Sequence, residues 1–186
     1  MAGEARGRRL VTPTGRDTRP TLDRVREAVF NALGSLDAVD GARVLDLFAG
    51  SGALGVEALS RGAAHATFVD SDRAARRAIE ENLATTGLAD RATVVGADAL
   101  AHLRHQVQQG GERYGLVLLD PPYATVEQVW DEALGLVATV APGAVVVVES
   151  DRPPPVPDGW DALREKRYGG TLVTVLRTPS TLPEPS

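Results

Sequence analysis

The chain has no cysteine and a single methionine, and its only lysine is Lys166. Without cysteine there is no disulfide and no thiolate metal site, which is compatible with a reducing cytoplasm. The three histidines, His65, His102 and His105, do not cluster. The last two are three apart on a helix-like segment and read as a solvated face rather than a ligand pair, so no metal is expected. With one lysine, cationic recognition falls to arginine, whose planar fork grips a phosphate with two donors or stacks on a base. No apolar run approaches the ~20 residues of a membrane span. None lies near the N-terminus as a signal peptide would, so the expected location is the cytoplasm. What is present is an ordinary globular composition, 43% hydrophobic and 24% charged, at a length of 186 residues that suits one domain with a proper core.

Net charge is −5, an unfavourable balance for a protein that would meet nucleic acid. Its distribution is uneven. Residues 1–31 carry seven arginines (6, 8, 9, 16, 19, 24, 26) against four acids, or +3, while the remainder carries 13 basic and 21 acidic residues, or −8. The basic end is therefore local. Arg8, Arg9, Arg19, Arg24 and Arg26 are the candidate RNA contacts, the plain alternative being that Arg6 to Arg9 form a frayed, solvated tail.

Apolar runs alternate with punctuation in a βαβ rhythm. Residues 8–20 read as a short arm or hairpin broken by Pro13, Gly15 and Pro20. Leu22, Val25, Val29 and Leu33 then recur at helical spacing behind Thr21 as a candidate N-cap. Strands are expected at 43–48, 65–70, 92–96, 114–119 and 144–149, with helices at 53–61, 72–85, 98–108 and 126–140 between them. Leu116 to Leu119 and Val145 to Val148 are apolar on both faces, as strands inside a parallel sheet are. Asp151 to Gly159 holds four prolines and reads as a surface loop. Two last strands, near 160–168 and 171–177 around Gly169-Gly170, predict an antiparallel hairpin at the sheet edge, and the polar tail from Thr178 to Ser186 is expected to be disordered.

Two motifs carry chemistry. Asp46-Leu-Phe48-Ala49-Gly50-Ser51-Gly52-Ala-Leu-Gly55 lies between a strand and a helix, its Gly50, Gly52 and Gly55 form G-x-G-x-x-G, and Asp70 follows the first glycine by 20 residues. Such a loop binds an adenosine cofactor, with the acid accepting the ribose hydroxyls. A carboxylate at Asp46 opposes a pyrophosphate and suits a cationic ligand, such as the ammonium and sulfonium of S-adenosylmethionine. Asp46 could instead cap backbone amides, and Gly55 could serve only close helix-to-strand packing. The second motif, Asp120-Pro121-Pro122-Tyr123, halts a buried strand with two donor-less prolines. The Asp120 carboxylate, the Pro121 carbonyl and the Tyr123 ring together offer two acceptors and a stacking surface, which is what a planar amine requires. The plainer reading is a turn acid and a rim aromatic in a proline-rich loop.

The combination of residues 44–55, Asp70, Gly96-Ala-Asp98 and Asp120 to Tyr123 resembles a class I S-adenosylmethionine-dependent methyltransferase. With Arg19-Pro-Thr-Leu-Asp23-Arg24-Val-Arg26-Glu-Ala-Val-Phe30-Asn31, the chain is similar to the bacterial 16S rRNA (guanine-N2)-methyltransferase family, over about Gly7 to Arg177. Asp70 departs from the Glu that members often carry.

The resemblance implies a Rossmann-like α/β fold: a doubly wound, mostly parallel seven-stranded sheet with a C-terminal antiparallel hairpin and a short N-terminal arm plus helix. It implies an arm and helix at 1–34, a methyltransferase domain at 35–177 and a tail at 178–186. It also implies transfer of a methyl group from S-adenosylmethionine to guanine N2 of 16S ribosomal RNA by a monomer, on a small-subunit particle, leaving S-adenosylhomocysteine. Asp120, Pro121, Pro122 and Tyr123 would be catalytic. Asp46, Phe48, Ala49, Gly50, Ser51, Gly52, Asp70, Ser71, Asp98, Ala99 and Asp120 would bind the cofactor, with Asp98 and Ala99 meeting adenine. Asp98 could equally be a helix N-cap. Other chemistries remain: amino methylation of adenine N6 in DNA or of a protein glutamine, a nicotinamide dehydrogenase that would leave Asp120 to Tyr123 idle, and a non-catalytic RNA-binding module.

Overall fold

The computed structural model of the protein describes residues 1–12, 20–121 and 127–180. The N-terminal helix α1 spans Pro20–Gly34, and the order thereafter is β1 (Arg43–Leu47), α2 (Ala53–Ser60), β2 (His65–Val69), α3 (Arg73–Thr86), β3 (Ala92–Val95), α4 (Ala99–Gln109), β4 (Leu116–Leu119), α5 (Glu127–Val140), β5 (Val145–Ser150), β6 (Asp161–Tyr168) and β7 (Thr171–Arg177). One seven-stranded sheet runs β3-β2-β1-β4-β5-β7-β6. The first five strands pair in parallel and β7 enters antiparallel to both β5 and β6. The expected doubly wound sheet with a reversed terminal hairpin is thus the observed one, and each observed element lies within two residues of its expected bounds.

Successive strand residues point to opposite faces, so each apolar strand serves two cores. Val44, Phe68, Leu116, Leu118, Val145, Val147 and Val173 pack with α1, α2 and α3 through Val25, Val29, Leu33, Val56, Leu59 and Ile79. Leu45, Leu47, Val117, Leu119, Val146 and Val148 pack with α4 and α5 through Leu103, Trp130, Leu134 and Val137. Each such side chain contributes about 1.5–3 kcal/mol on burial, which is why the two-sided strands dominate the stability.

Three local expectations need correction. Helix α1 begins at Pro20, so Thr21 is its second residue rather than its cap; a proline suits a first turn because its missing N–H has no intrahelical partner there. His102 is buried rather than solvated, while His105 is exposed, so the two stand on different faces of α4. Burial and the neighbouring His105 hold the His102 pKa below its ordinary value. Thr178 is not the start of a loose tail: its N–H donates to the Ala144 carbonyl at 3.0 Å and its hydroxyl accepts the Ala144 N–H at 2.8 Å.

At the N-terminus, Ala2 to Ala5 are docked on α2, which speaks against the alternative of a frayed tail. Ala5 N–H donates to Ser60 Oγ at 2.8 Å, Ala2 N–H to Glu57 Oε1 at 3.1 Å, and a Cβ at Gly3 would stand 1.7 Å from the Ser60 carbonyl. The side chains of Arg6, Arg8 and Arg9 nevertheless face solvent. Among the described residues, no helix is long and apolar enough to cross a membrane.

Candidate active site

The parity that builds the two cores also gathers the acids. Asp46 shares the face of Val44, Asp70 continues the face of Phe68, Asp120 that of Leu118, and Glu149 that of Val147, all on the side covered by α1 to α3. All four stand at carboxyl ends of parallel strands, beside the β1/β4 junction where the strand order reverses. That is where open α/β sheets bind ligands.

The glycine loop is held by its own geometry. Phe48 adopts φ +60, an uncommon left-handed conformation for an aromatic residue, and Gly50 and Gly52 follow at φ +57 and +74. A Cβ at Gly52 would meet Ile79 Cγ1 at 3.0 Å and Phe68 Cε1 at 3.2 Å; one at Gly55 would meet Phe68 Cε1 at 2.3 Å. The third glycine therefore serves close helix-to-strand packing.

Asp46 caps a backbone amide, one of the two roles considered for it. It is buried, and its Oδ2 accepts the Gly55 N–H at 2.9 Å near the start of α2. Burial pushes its pKa well up, only partly countered by that hydrogen bond, and the charges of Asp120, Asp70 and Glu149 push it further. Asp70 Oδ2 accepts Gly50 N–H at 2.8 Å and its Oδ1 accepts Asp72 N–H at 2.8 Å, so this carboxylate ties the loop to the end of β2. A carboxylate has about four acceptor positions, so capacity for a ribose hydroxyl remains. Ser71 is exposed at the rim.

Asp98 caps α4, its Oδ1 accepting Ala101 N–H at 3.0 Å, and Ala99 is buried beneath it. Asp120 is exposed at the end of β4 and Pro121 is buried beside it. Pro122 and Tyr123 lie outside the described residues, as does Arg19. Arg8, Arg9 and Arg24 are exposed. Arg26 is engaged within the protein: its Nη2 stands 2.9 Å from Asp23 and its Nε 3.4 Å from the buried Glu57, which also holds Arg61 at 2.7 Å.

Three contributors escape the sequence motifs. Glu149, buried at the end of β5, has its pKa pushed up to about 8 by burial and by Asp120, against an opposing pull from Arg26. A lone Glu closing a four-valine strand was the only sequence signal for it. Arg76 Nη1 donates to the Asp70 and Ser71 carbonyls at 3.1 and 2.8 Å, fixing the turn after β2. Asn82, fully buried on α3, donates to the Ser51 carbonyl of the glycine loop at 2.9 Å. Neither of these last two had a local signal.

Electrostatically the crevice is a concentration of partly desolvated carboxylates that destabilise one another. Such a site favours a cation of organic size over an anion. Among the described residues, no group of three or more His, Cys, Asp or Glu is arranged to hold a metal ion.

The family model described as "Conserved hypothetical protein 95" matches residues 1–177. The ribosomal RNA small subunit methyltransferase D of Escherichia coli (strain K12) is 41% identical over 175 residues, covering 91% of this chain and 84% of that protein. The chain belongs to this family. Among solved structures, a candidate methyltransferase of Escherichia coli is 38% identical and superposes with a TM-score of 0.82 over 97% of both chains. Another, solved in complex with S-adenosylhomocysteine, shares the fold at 14% identity, with a TM-score of 0.69 over 83% of this chain and 48% of that one. The docked segment before Gly7 thus lies inside the family match, which begins at residue 1.

Proposed function

We propose that the protein transfers a methyl group from S-adenosylmethionine to the exocyclic N2 amine of a guanine in small-subunit (16S) ribosomal RNA. The observation that carries the reading is the convergence of Asp46, Asp70, Asp120 and Glu149 on one crevice, with burial and mutual repulsion raising the Asp46 and Glu149 pKa values. A cationic cofactor relieves that repulsion, whereas a dinucleotide pyrophosphate would aggravate it, so the donor set fits S-adenosylmethionine better than a nicotinamide cofactor. The ribosomal substrate follows from family membership and from the arginines of the arm and α1.

When bound, S-adenosylmethionine supplies an electrophilic methyl on a positively charged sulfur. Asp46 and the glycine loop would hold its amino-acid end, Asp70 its ribose hydroxyls, and Asp98 with Ala99 its adenine. The chain's remaining task is to present the guanine amine, a weak nucleophile because its lone pair is delocalised into the ring. The Asp120 carboxylate and the Pro121 carbonyl accept its N–H bonds, localise that pair, and give the departing proton an acceptor when the N–C bond forms. Tyr123 would stack on the base, which must leave any helix to be reached. Holding the reacting atoms in line can remove up to ~7–11 kcal/mol of the barrier.

Arg8, Arg9, Arg19 and Arg24 would contact RNA phosphates, with Arg26 serving them indirectly by holding α1 against α2. Acting as a monomer in the cytoplasm on a partly assembled small subunit is part of the same proposal. Mass spectrometry of ribosomal RNA nucleosides from cells with and without the protein tests it. Loss of one N2-methylguanosine from the small-subunit RNA is expected; an unchanged N2-methylguanosine content would overturn the guanine reading.

A further inference from the structure

The N-terminal arm and the glycine loop are far apart in sequence, yet one side chain joins them. Asn82 Oδ1 accepts the Val11 N–H at 2.7 Å, and its Nδ2 donates both to the Val11 carbonyl at 2.9 Å and to the Ser51 carbonyl at 2.9 Å. Both Nδ2 hydrogens and the carbonyl oxygen are therefore used, and the residue is only 1% exposed. Paired with Val11 through donor and acceptor at once, the amide imitates one rung of a β-ladder. Its remaining N–H grips the loop between Gly50 and Gly52. Around this rung, Leu10 packs against the core of α1 to α3, and Ala2 and Ala5 dock on Glu57 and Ser60 of α2. The arm thus touches α2 through Ala2 and Ala5 and α3 through Val11, where Asn82 joins it to the glycine loop. A buried amide that loses one of its three partners leaves the other polar groups unsatisfied, so neither end can be released without a cost at the other.

We propose that Asn82 couples the docking of the arginine-bearing arm to the conformation of the glycine loop, so that RNA engaged by the arm and cofactor held by the loop favour one another. The ligands named here rest on the function proposed above; the coupling between arm and loop does not. Asn82 is a positioning residue, touching neither the cofactor nor the base. Linkage makes the effect reciprocal: whatever factor arm docking adds to cofactor affinity, cofactor adds to arm docking.

The test removes the rung from the arm side, where the core is untouched. Val11→Pro deletes the N–H given to Asn82, and with Val11 39% exposed little side-chain packing is lost. Hydrogen exchange on the full-length, ligand-free protein is read at Gly50 and Gly52, whose amides donate to Asp70 Oδ2 and the Ala49 carbonyl, with the amides of Val117 and Val147 as core controls. Coupling predicts exchange at Gly50 and Gly52 faster by about fivefold, the equivalent of one hydrogen bond, with the core amides unchanged. It also predicts a similar loss of S-adenosylmethionine affinity by calorimetry. Asn82→Ala, which severs both ends, should give the larger change at the same amides. Unchanged Gly50 and Gly52 exchange in Val11→Pro, with the arm itself loosened, overturns the coupling whatever the protein binds. Failure of the wild-type protein to bind S-adenosylmethionine overturns the functional reading instead, leaving the exchange result to judge the coupling.

Discussion

The ends of β1 and β4 both present a carboxylate to the same crevice, but they are built in opposite ways. At β1, Asp46 is buried, hydrogen-bonded to Gly55, and followed by Phe48, Gly50 and Gly52 in left-handed backbone conformations, the last of them packed on Phe68 and Ile79. At β4, Asp120 is exposed and followed by a buried proline that ends the strand's donors. The first end is assembled before any ligand arrives, at the expense of a desolvated charge. The second leaves its acid at the surface, where burial does not desolvate it. A cofactor that returns every cycle suits the first arrangement, and a base delivered on a large RNA suits the second.

The difference predicts separable failures. Asp120→Ala should lower methyl transfer by about 10²–10⁴-fold, measured as tritiated-methyl incorporation into small-subunit RNA, while cofactor affinity stays within a few-fold. Equal losses in both would mean that the two strand ends do not divide the work. Gly52→Val places a branched side chain at φ +74 against Ile79 and Phe68, and calorimetry should find cofactor binding weakened by at least ~100-fold. Unaltered affinity would remove the loop from the cofactor site.

Glu149 ends β5, on the far side of β4 from β1, and its charge acts on both Asp46 and Asp120. Its folded-state pKa lies above the ordinary carboxylate value, so the folded protein binds more protons than the unfolded chain and stability falls as pH rises from about 4.5 to about 8. Glu149→Gln should flatten that decline and leave the variant more stable than wild type at pH 8, by up to about 4 kcal/mol in denaturant titrations. For a cationic ligand the sign reverses: wild-type affinity should climb toward pH 8 as the proton leaves, and in Glu149→Gln the climb should be reduced. A smaller effect is expected where no charge is involved. Ser60→Ala removes the hydroxyl that accepts Ala5 N–H, and a loss of about 1–3 kcal/mol in chemical denaturation would measure how firmly the N-terminal segment is docked.

Much of this was legible from local pattern. Continuous apolar runs marked both-faced strands, Gly50, Gly52 and Gly55 marked the turn into α2, and Asp70 stood at the expected separation, because these signals depend on neighbours within a few residues. Boundaries held for the same reason. His102 was misread because the buried face of α4 is chosen by α5, a strand and a turn away. The docking of the N-terminal segment had no local signal because its anchors, Ser60 and Glu57, are 55 residues distant. Arg26 carried a charge that suited RNA, and only the packing of α1 on α2 revealed its engagement with Glu57.

The order of residues alone decided the fold class, the turn chemistry of the glycine loop and the presence of acids at strand ends, since backbone sterics and side-chain periodicity act locally. Tertiary structure decided which of those acids share a face, how far burial holds Asp46 and Glu149 from ionising, and that Asn82 ties the arm to Ser51. Those properties arise from desolvation and from contacts between distant segments, and neither exists until the sheet has closed over its helices.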